Sequence, residues 1–270
     1  ESDSGEYLRA VLQRGGSSAA EYKRKSYALL DVSEGMSVLD VGCGVGVDLL
    51  PLLNLVGKSG MVIGLDQNPD LLEQARMSDV ARDNANVLLF QGDAHHMTFP
   101  TESFDRVRAD RTIQHCQNPV QVIREMWRVL RPNGVLTIVE PDWKGIVLYP
   151  ASPQGADNDS TLARLFGWYE RNLAHALIGR QLRSLLSQMG SLAWSVTGVE
   201  AVAFSFTDWH AADTILQVTN AARALALEDV AAAGAIDEWL SGLQRATADR
   251  EFYAMIPLFY GYACKSTNIR

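Results

Sequence analysis

A doubly wound α/β fold with a mostly parallel, seven-stranded sheet is what this chain predicts, and three observations predict it. From Val38 onward, short Val/Ile/Leu runs alternate with longer helical segments. Residues 38–46 read Val-Leu-Asp-Val-Gly-Cys-Gly-Val-Gly, a buried-strand run that breaks into alternating glycines behind an acid, Asp40. Asp66 closes the next apolar run, so acids gather at strand carboxyl ends, where open α/β sheets bind their ligands.

Each element has its own signal. Residues 1–35 read as an N-terminal helical segment. An apolar-periodic stretch runs around Tyr7, Leu8, Val11 and Leu12, a break falls at 15–18, and a second helix spans Ala19 to Leu30. Residues 36–145 form the core: strand 37–41, helix 46–56, strand 61–66, helix 69–83, strand 86–91, strand 104–109, helix 118–130 and strand 134–140. Right-handed crossovers join such parallel strands. Pro141, Pro150, Pro153 and Gly155 mark a loop, and residues 146–190 make a lid in which Ser160 to Ser187 reads as helical, interrupted only at Gly179. In residues 191–270, strands Trp194–Phe206 and Phe252–Lys265 enclose an insertion, 208–250, with helices at about 211–226 and 235–249. The insertion is expected to cover substrate or to make a homo-oligomer contact.

Composition excludes some partners. Lys and Arg number 24 against 32 Asp and Glu, a net charge of -8, which opposes a sequence-independent grip on nucleic acid. No apolar run is long enough to span a bilayer and no basic-then-apolar leader opens the chain, so a cytoplasmic protein without a membrane partner is expected. Cys43, Cys116 and Cys264 have no metal spacing, and the adjacent His95 and His96 point apart on an extended chain, so no metal is expected.

The glycine spacing, Gly42-x-Gly44-x-Gly46, departs from the dinucleotide fingerprint. Asp40 would point negative charge at the pocket, which suits a ligand bearing an amino or sulfonium cation rather than a pyrophosphate. An acid at Asp66 suits ribose hydroxyls. Val38 to Gly46, Gly64 to Asp66, Gly92-Asp93-Ala94, Phe104-Asp105 and Leu130-Arg-Pro-Asn-Gly134 together resemble the class I S-adenosylmethionine-dependent methyltransferases, over roughly residues 20–150. The resemblance implies a Rossmann-like fold and S-adenosylmethionine as cofactor, with S-adenosylhomocysteine as product. It lays the loop of Gly42 and Gly44 along the methionine moiety, puts Asp66 on the ribose, turns Asp93 and Ala94 toward the adenine, and counts Gln67 among the cofactor-binding residues. Arg111 stands where the family contacts the methionine end, or pairs with Asp110. Tyr22 matches an N-terminal aromatic folded over the cofactor, or is a core contact of its helix. The basic trio after it, Lys23 to Lys25, reads as a solvated face.

A sulfonium methyl is already electrophilic, so the protein's task is alignment, water exclusion and, for a hydroxyl or acidic carbon, a base. His115, just beyond the fourth strand, is the candidate base; Glu140 or Asp142, at the end of the next strand, would orient it. The alternative is that His115 simply packs. Trp143, Tyr149, Phe166, Trp168, Tyr169, Trp194 and Trp209 suit an apolar small molecule or ordinary packing, and Arg180 suits an anionic group or a helix cap. The function expected is methyl transfer to oxygen or carbon of a small, largely apolar metabolite, as in the specialised-metabolism and quinone-biosynthesis branch. Two others are weighed against it: a catalytically silent cofactor-binding partner and a nicotinamide oxidoreductase.

Overall fold

In the computed structural model, residues 17–150, 158–188, 194–230 and 233–266 are described. The stretch expected around Tyr7 to Leu12 lies outside them, as does the segment holding Pro153 and Gly155. The chain opens with α1 (Ser17–Leu30), then β1 (Ser37–Val41), α2 (Leu49–Val56), β2 (Met61–Asp66), α3 (Pro69–Met77), α4 (Asp79–Asp83) and β3 (Val87–Gln91). There follow β4 (Phe104–Asp110), α5 (Pro119–Val129), β5 (Leu130–Pro141), β6 (Val147–Tyr149), α6 (Asn158–Asn172) and α7 (Ile178–Gln188). The chain closes with β7 (Trp194–Phe206), α8 (Trp209–Leu216), α9 (Val218–Glu228), α10 (Ala233–Ala248) and β8 (Tyr253–Lys265).

The doubly wound, mostly parallel architecture holds. Strand order runs β3-β2-β1-β4-β5-β8, with every pairing from β3 to β5 parallel. β8 then runs antiparallel to β5, to β6 and to β7. The described sheet has eight strands rather than seven, because the chain after β5 returns to pair Val147–Tyr149 with Tyr253–Met255.

Several boundaries differ from expectation for local reasons. The helix expected over 69–83 is two helices, because Ser78 turns extended and its side chain accepts from the Ala81 N–H, capping a new start. Gly179 does not interrupt the helical stretch expected over Ser160 to Ser187. The break falls at 173–177, and Gly179 lies in the first turn of α7. The helix expected over about 211–226 is likewise two, parted at Gln217, whose backbone is left-handed (φ 54°, ψ 33°).

One apolar cluster lies under α5 and α7, with Leu39, Val107, Ile123, Met126, Ile138 and Leu182 fully buried. A second joins α1, β7, β8 and helices α8 to α10 through Tyr22, Phe204, Trp209, Leu216, Trp239 and Ile256. Helices α8 to α10 thus share a core with the sheet edge. Among the described residues, no helix is long and apolar enough to cross a membrane.

Candidate active site

Gly42, Gly44, Asp66, Gln67, Asp93, Ala94, Arg111, His115 and Tyr22 all line one cavity of about 990 Å³ above the carboxyl ends of β1, β2 and β4. The glycine loop is bound to the end of β2: Gly42 and Cys43 donate to the Leu65 carbonyl at 2.7 and 3.1 Å. At Gly42 (φ 71°) an added Cβ would come within 2.3 Å of the Thr112 side chain, so glycine is what lets the β4 turn press on the loop. At Gly44 (φ 53°) an added Cβ would meet no atom within 4 Å. The backbone there is bare toward open space, and its N–H donates to Asp66 Oδ2 at 2.8 Å.

Asp66 Oδ1 accepts from the Asn68 N–H at 2.9 Å, so both carboxylate oxygens are held by backbone while each keeps a free lone-pair direction. Asp93 is fixed by His95: Oδ1 accepts from its backbone N–H at 2.8 Å and lies 2.6 Å from its Nδ1, and those bonds depress the Asp93 pKa. The other ring nitrogen of His95, Nε2, accepts from the Asn118 N–H at 3.2 Å, which places the proton on Nδ1. His95 is thereby committed to shaping the loop that carries Asp93 and Ala94.

Asp40 is a correction. It does not reach the cavity wall: it is 2% exposed, and its Oδ1 receives Arg108 Nη1 at 2.8 Å. Lys23 is a second correction. Far from a solvated face, it is 4% exposed and lies 2.7 Å from Asp48 Oδ2 and 2.8 Å from Asp110 Oδ2. Arg108 also reaches Asp48 and Asp110, at 3.0 and 2.9 Å, and Tyr27 donates its hydroxyl to Asp48. Three buried acids thus share two buried cations, with Arg111 Nε 3.4 Å from the other oxygen of Asp110. Burial pushes Asp40 up to about 6, against the pull of Arg108, whereas Arg108 and Lys23 carry Asp48 below the usual carboxylate range despite its burial. Negative charge facing the cavity comes from Asp48, Asp66, Asp93 and Asp110 instead.

His115 sits on a 3₁₀ turn, Ile113–His115, directly after β4, and is exposed toward the cavity. Its pKa is lowered, first by desolvation and then by the Arg111 guanidinium, which leaves the imidazole neutral near pH 7. The expected acid partner is absent among the described residues. Glu140 is fully buried, and its Oε1 accepts from the backbone N–H of Thr112 at 2.9 Å and of Ile113 at 2.6 Å. Asp142 is spent on the Lys144 N–H and on the Arg180 guanidinium, which also settles Arg180 as an ion-pair partner. Glu140 thus shapes the backbone of the His115 turn and Asp142 that of its own turn, rather than touching the imidazole.

Sequence reasoning missed the network of Lys23, Asp48, Arg108 and Asp110. The available signal was β4 itself, where Arg106, Arg108 and Asp110 recur at period two in a strand that should be apolar on both faces. It also missed Gln114, whose Oε1 accepts from Trp143 Nε1 at 2.6 Å and whose carbonyl accepts from the His175 N–H, tying the segments after β5 and between α6 and α7 to the turn. The far wall comprises Phe204, Thr214, Ile215, Gln217, Ile256 and Leu258, which are distant in sequence from the glycine loop. The polar groups of that wall are satisfied internally: Thr214 donates to the His210 carbonyl, and Gln217 bonds the Thr214 carbonyl and Asn220. Tyr22 packs its ring 5.2 Å from that of Phe204, and its buried hydroxyl has no partner among the described residues.

Fold and cavity together define a doubly wound α/β domain with a ligand-sized cleft over its glycine loop. Residues 32–190, more than half of the chain, match the family model described as "Methyltransferase domain", and the chain belongs to that family. A Streptomyces fradiae protein, named as an uncharacterized 37.1 kDa protein in transposon TN4556, is 34% identical over 245 residues, covering 89% of this chain and 66% of its own. A demethylmenaquinone methyltransferase of Listeria monocytogenes is 33% identical over 132 residues, covering 47% of this chain and 56% of the enzyme. The chain therefore spans between about half and two thirds of the length of these relatives. In fold, it is similar to the YcgJ protein of Bacillus subtilis, with a TM-score of 0.59 at 15% identity over 92% of this chain and all of that one.

Proposed function

We propose that the protein is a methyltransferase that uses S-adenosylmethionine to methylate oxygen or carbon of a small, largely apolar acceptor. The observation that carries this reading is the cradle at Gly44: bare backbone facing open space, its N–H fixed by Asp66, in a cavity of about 990 Å³. A volume of that order suits a drug-sized ligand or a pair of small molecules. The donor set fits the cofactor: Gly42 and Gly44 would lie along the methionine moiety, Asp66 with Gln67 would take the ribose, and Asp93 with Ala94 the adenine. Arg111 offers a guanidinium to the carboxylate, and Asp48 and Asp110 face the same end of the cavity with acid oxygens. When bound, the cofactor supplies a methyl group made electrophilic by its sulfonium.

The chain's own residues do the rest. A neutral ring nitrogen of His115 accepts the acceptor's hydroxyl or carbon-bound proton. Tyr22, whose buried hydroxyl has no partner among the described residues, contributes to the wall of the same cavity. Trp143, Leu173, Phe204, Ile215, Ile256 and Leu258 exclude water and favour an apolar acceptor without formal charge. The name borne by the Listeria relative supports a quinone-like acceptor class.

The test is incubation of the protein with methyl-labelled S-adenosylmethionine and a panel of phenols, quinols and hydroxylated polyketides, read by mass spectrometry. Transfer of label that His115→Ala reduces by about 10²–10⁴ supports the reading. Cofactor uptake without label transfer to any acceptor would instead favour the silent-partner role.

A further inference from the structure

We infer that Glu140 is a positioning residue that locks the glycine loop and the His115 turn into one unit through Thr112, and that it does so without touching either ligand. The inference rests on the proposed cofactor site. Glu140, next to last in β5, has its side chain fully buried and is not part of the cavity wall. Oε1 collects the N–H groups of Thr112 and Ile113. Those two amides open the turn that presents His115 and Cys116, and without Glu140 they would lack an acceptor, at about 1–3 kcal/mol each.

The Thr112 held in this way does two further things. Its Oγ1 donates to the Val41 carbonyl at 3.2 Å, and its side chain fills the space that the missing Cβ of Gly42 leaves. The chain of contacts therefore runs from Glu140 to Thr112, and from Thr112 to the last residue of β1 and the first glycine of the loop. A shift of Glu140 would displace the loop and the base together. The second carboxyl oxygen, Oε2, is buried with no partner among the described residues, and burial pushes the Glu140 pKa up to about 8, so the group is mainly neutral near pH 7. A neutral amide should substitute for it.

The experiment compares wild type, Glu140→Gln and Glu140→Leu by hydrogen exchange at the amides of residues 112–114 and by calorimetric titration with S-adenosylhomocysteine. The expected result is slow exchange at Thr112 and Ile113 in wild type and in Glu140→Gln, with affinities within about threefold of each other. Glu140→Leu should lose that protection and bind about tenfold more weakly, as loss of one to two such hydrogen bonds implies. Should the leucine variant not fold, Glu140→Asp, one methylene too short to reach the turn, takes its place with the same expectation. Retained protection and affinity in the leucine or aspartate variant would overturn the inference, as would equal losses in Glu140→Gln. If wild type itself takes up no S-adenosylhomocysteine, the proposed function falls, and the amide exchange alone still decides whether Glu140 holds the turn.

Discussion

At the residue scale, the proposed cofactor site rests on Gly44 and Asp66, the first for open space and the second for its hold on the loop. A methyl group at position 44 would project into the cavity from a left-handed backbone. Gly44→Ala should therefore cost about 1 kcal/mol of stability from strain and abolish measurable S-adenosylhomocysteine binding, which thermal unfolding and calorimetry would read separately. Asp66→Ala removes both the acceptor for the Gly44 N–H and the proposed ribose contact, and should weaken the same ligand by tenfold or more, ~1.4 kcal/mol. For His115, desolvation and Arg111 depress the folded pKa, so the unfolded chain binds the proton more readily and the base form persists to lower pH. The initial rate of methyl transfer should rise with pH along a limb centred below about 6.5, and His115→Gln should remove that limb while leaving S-adenosylhomocysteine affinity unchanged. These residues were legible in the sequence because each announces itself locally: alternating glycines, an acid at a strand end, a histidine just past a strand. Glu140 was legible as a position but not in its role, because whether a carboxylate meets an imidazole or a backbone turn depends on a few ångströms of packing.

At the scale of elements, α1 is held to the sheet by charge as much as by apolar contact. Arg106 Nε donates to the Asp31 carbonyl just past its end, Lys23 enters the acid cluster from its middle, and the Tyr260 hydroxyl reaches the Tyr22 carbonyl. Lys23→Met should leave Asp48 and Asp110 short of one partner deep in the protein, costing about 3 kcal/mol and loosening α1, which limited proteolysis near residues 21–30 would detect. Asp48 and Asp110 have depressed folded pKa values, so their contribution is present above the unfolded value of 3.8 and is lost as pH falls through the folded ones. Release of α1 should accordingly begin on acidification below about pH 4. This clamp was not read from the sequence: Lys23 lies in a Lys-Arg-Lys stretch that resembles a wet helix face, and only Asp48 and Asp110, 25 and 87 residues further along, give it a buried destination. The parallel strands were readable because alternation and glycine breaks are local; the split of α8 from α9 at Gln217 was not, because a left-handed glutamine has no local signature.

Across the whole molecule, the cavity joins two parts of different character. Its floor belongs to the segment that matches the methyltransferase domain family, while Phe204, Thr214, Ile215, Gln217, Ile256 and Leu258 come from beyond residue 190, where that match ends. Acceptor choice is thus expected to reside in the second part: Ile215→Asp should lower turnover of an apolar acceptor at least tenfold and leave cofactor affinity unchanged, a split that steady-state kinetics alongside calorimetry would resolve. Calorimetric titration of the purified chain with S-adenosylmethionine and, separately, with a nicotinamide dinucleotide tests most directly whether the acid-edged mouth of this sheet is a site for a sulfonium nucleoside. One saturable site for S-adenosylmethionine, weakened by Asp66→Ala, with no heat from the dinucleotide, is the predicted result; uptake of the dinucleotide alone, or affinity for S-adenosylmethionine indifferent to Asp66, would contradict it.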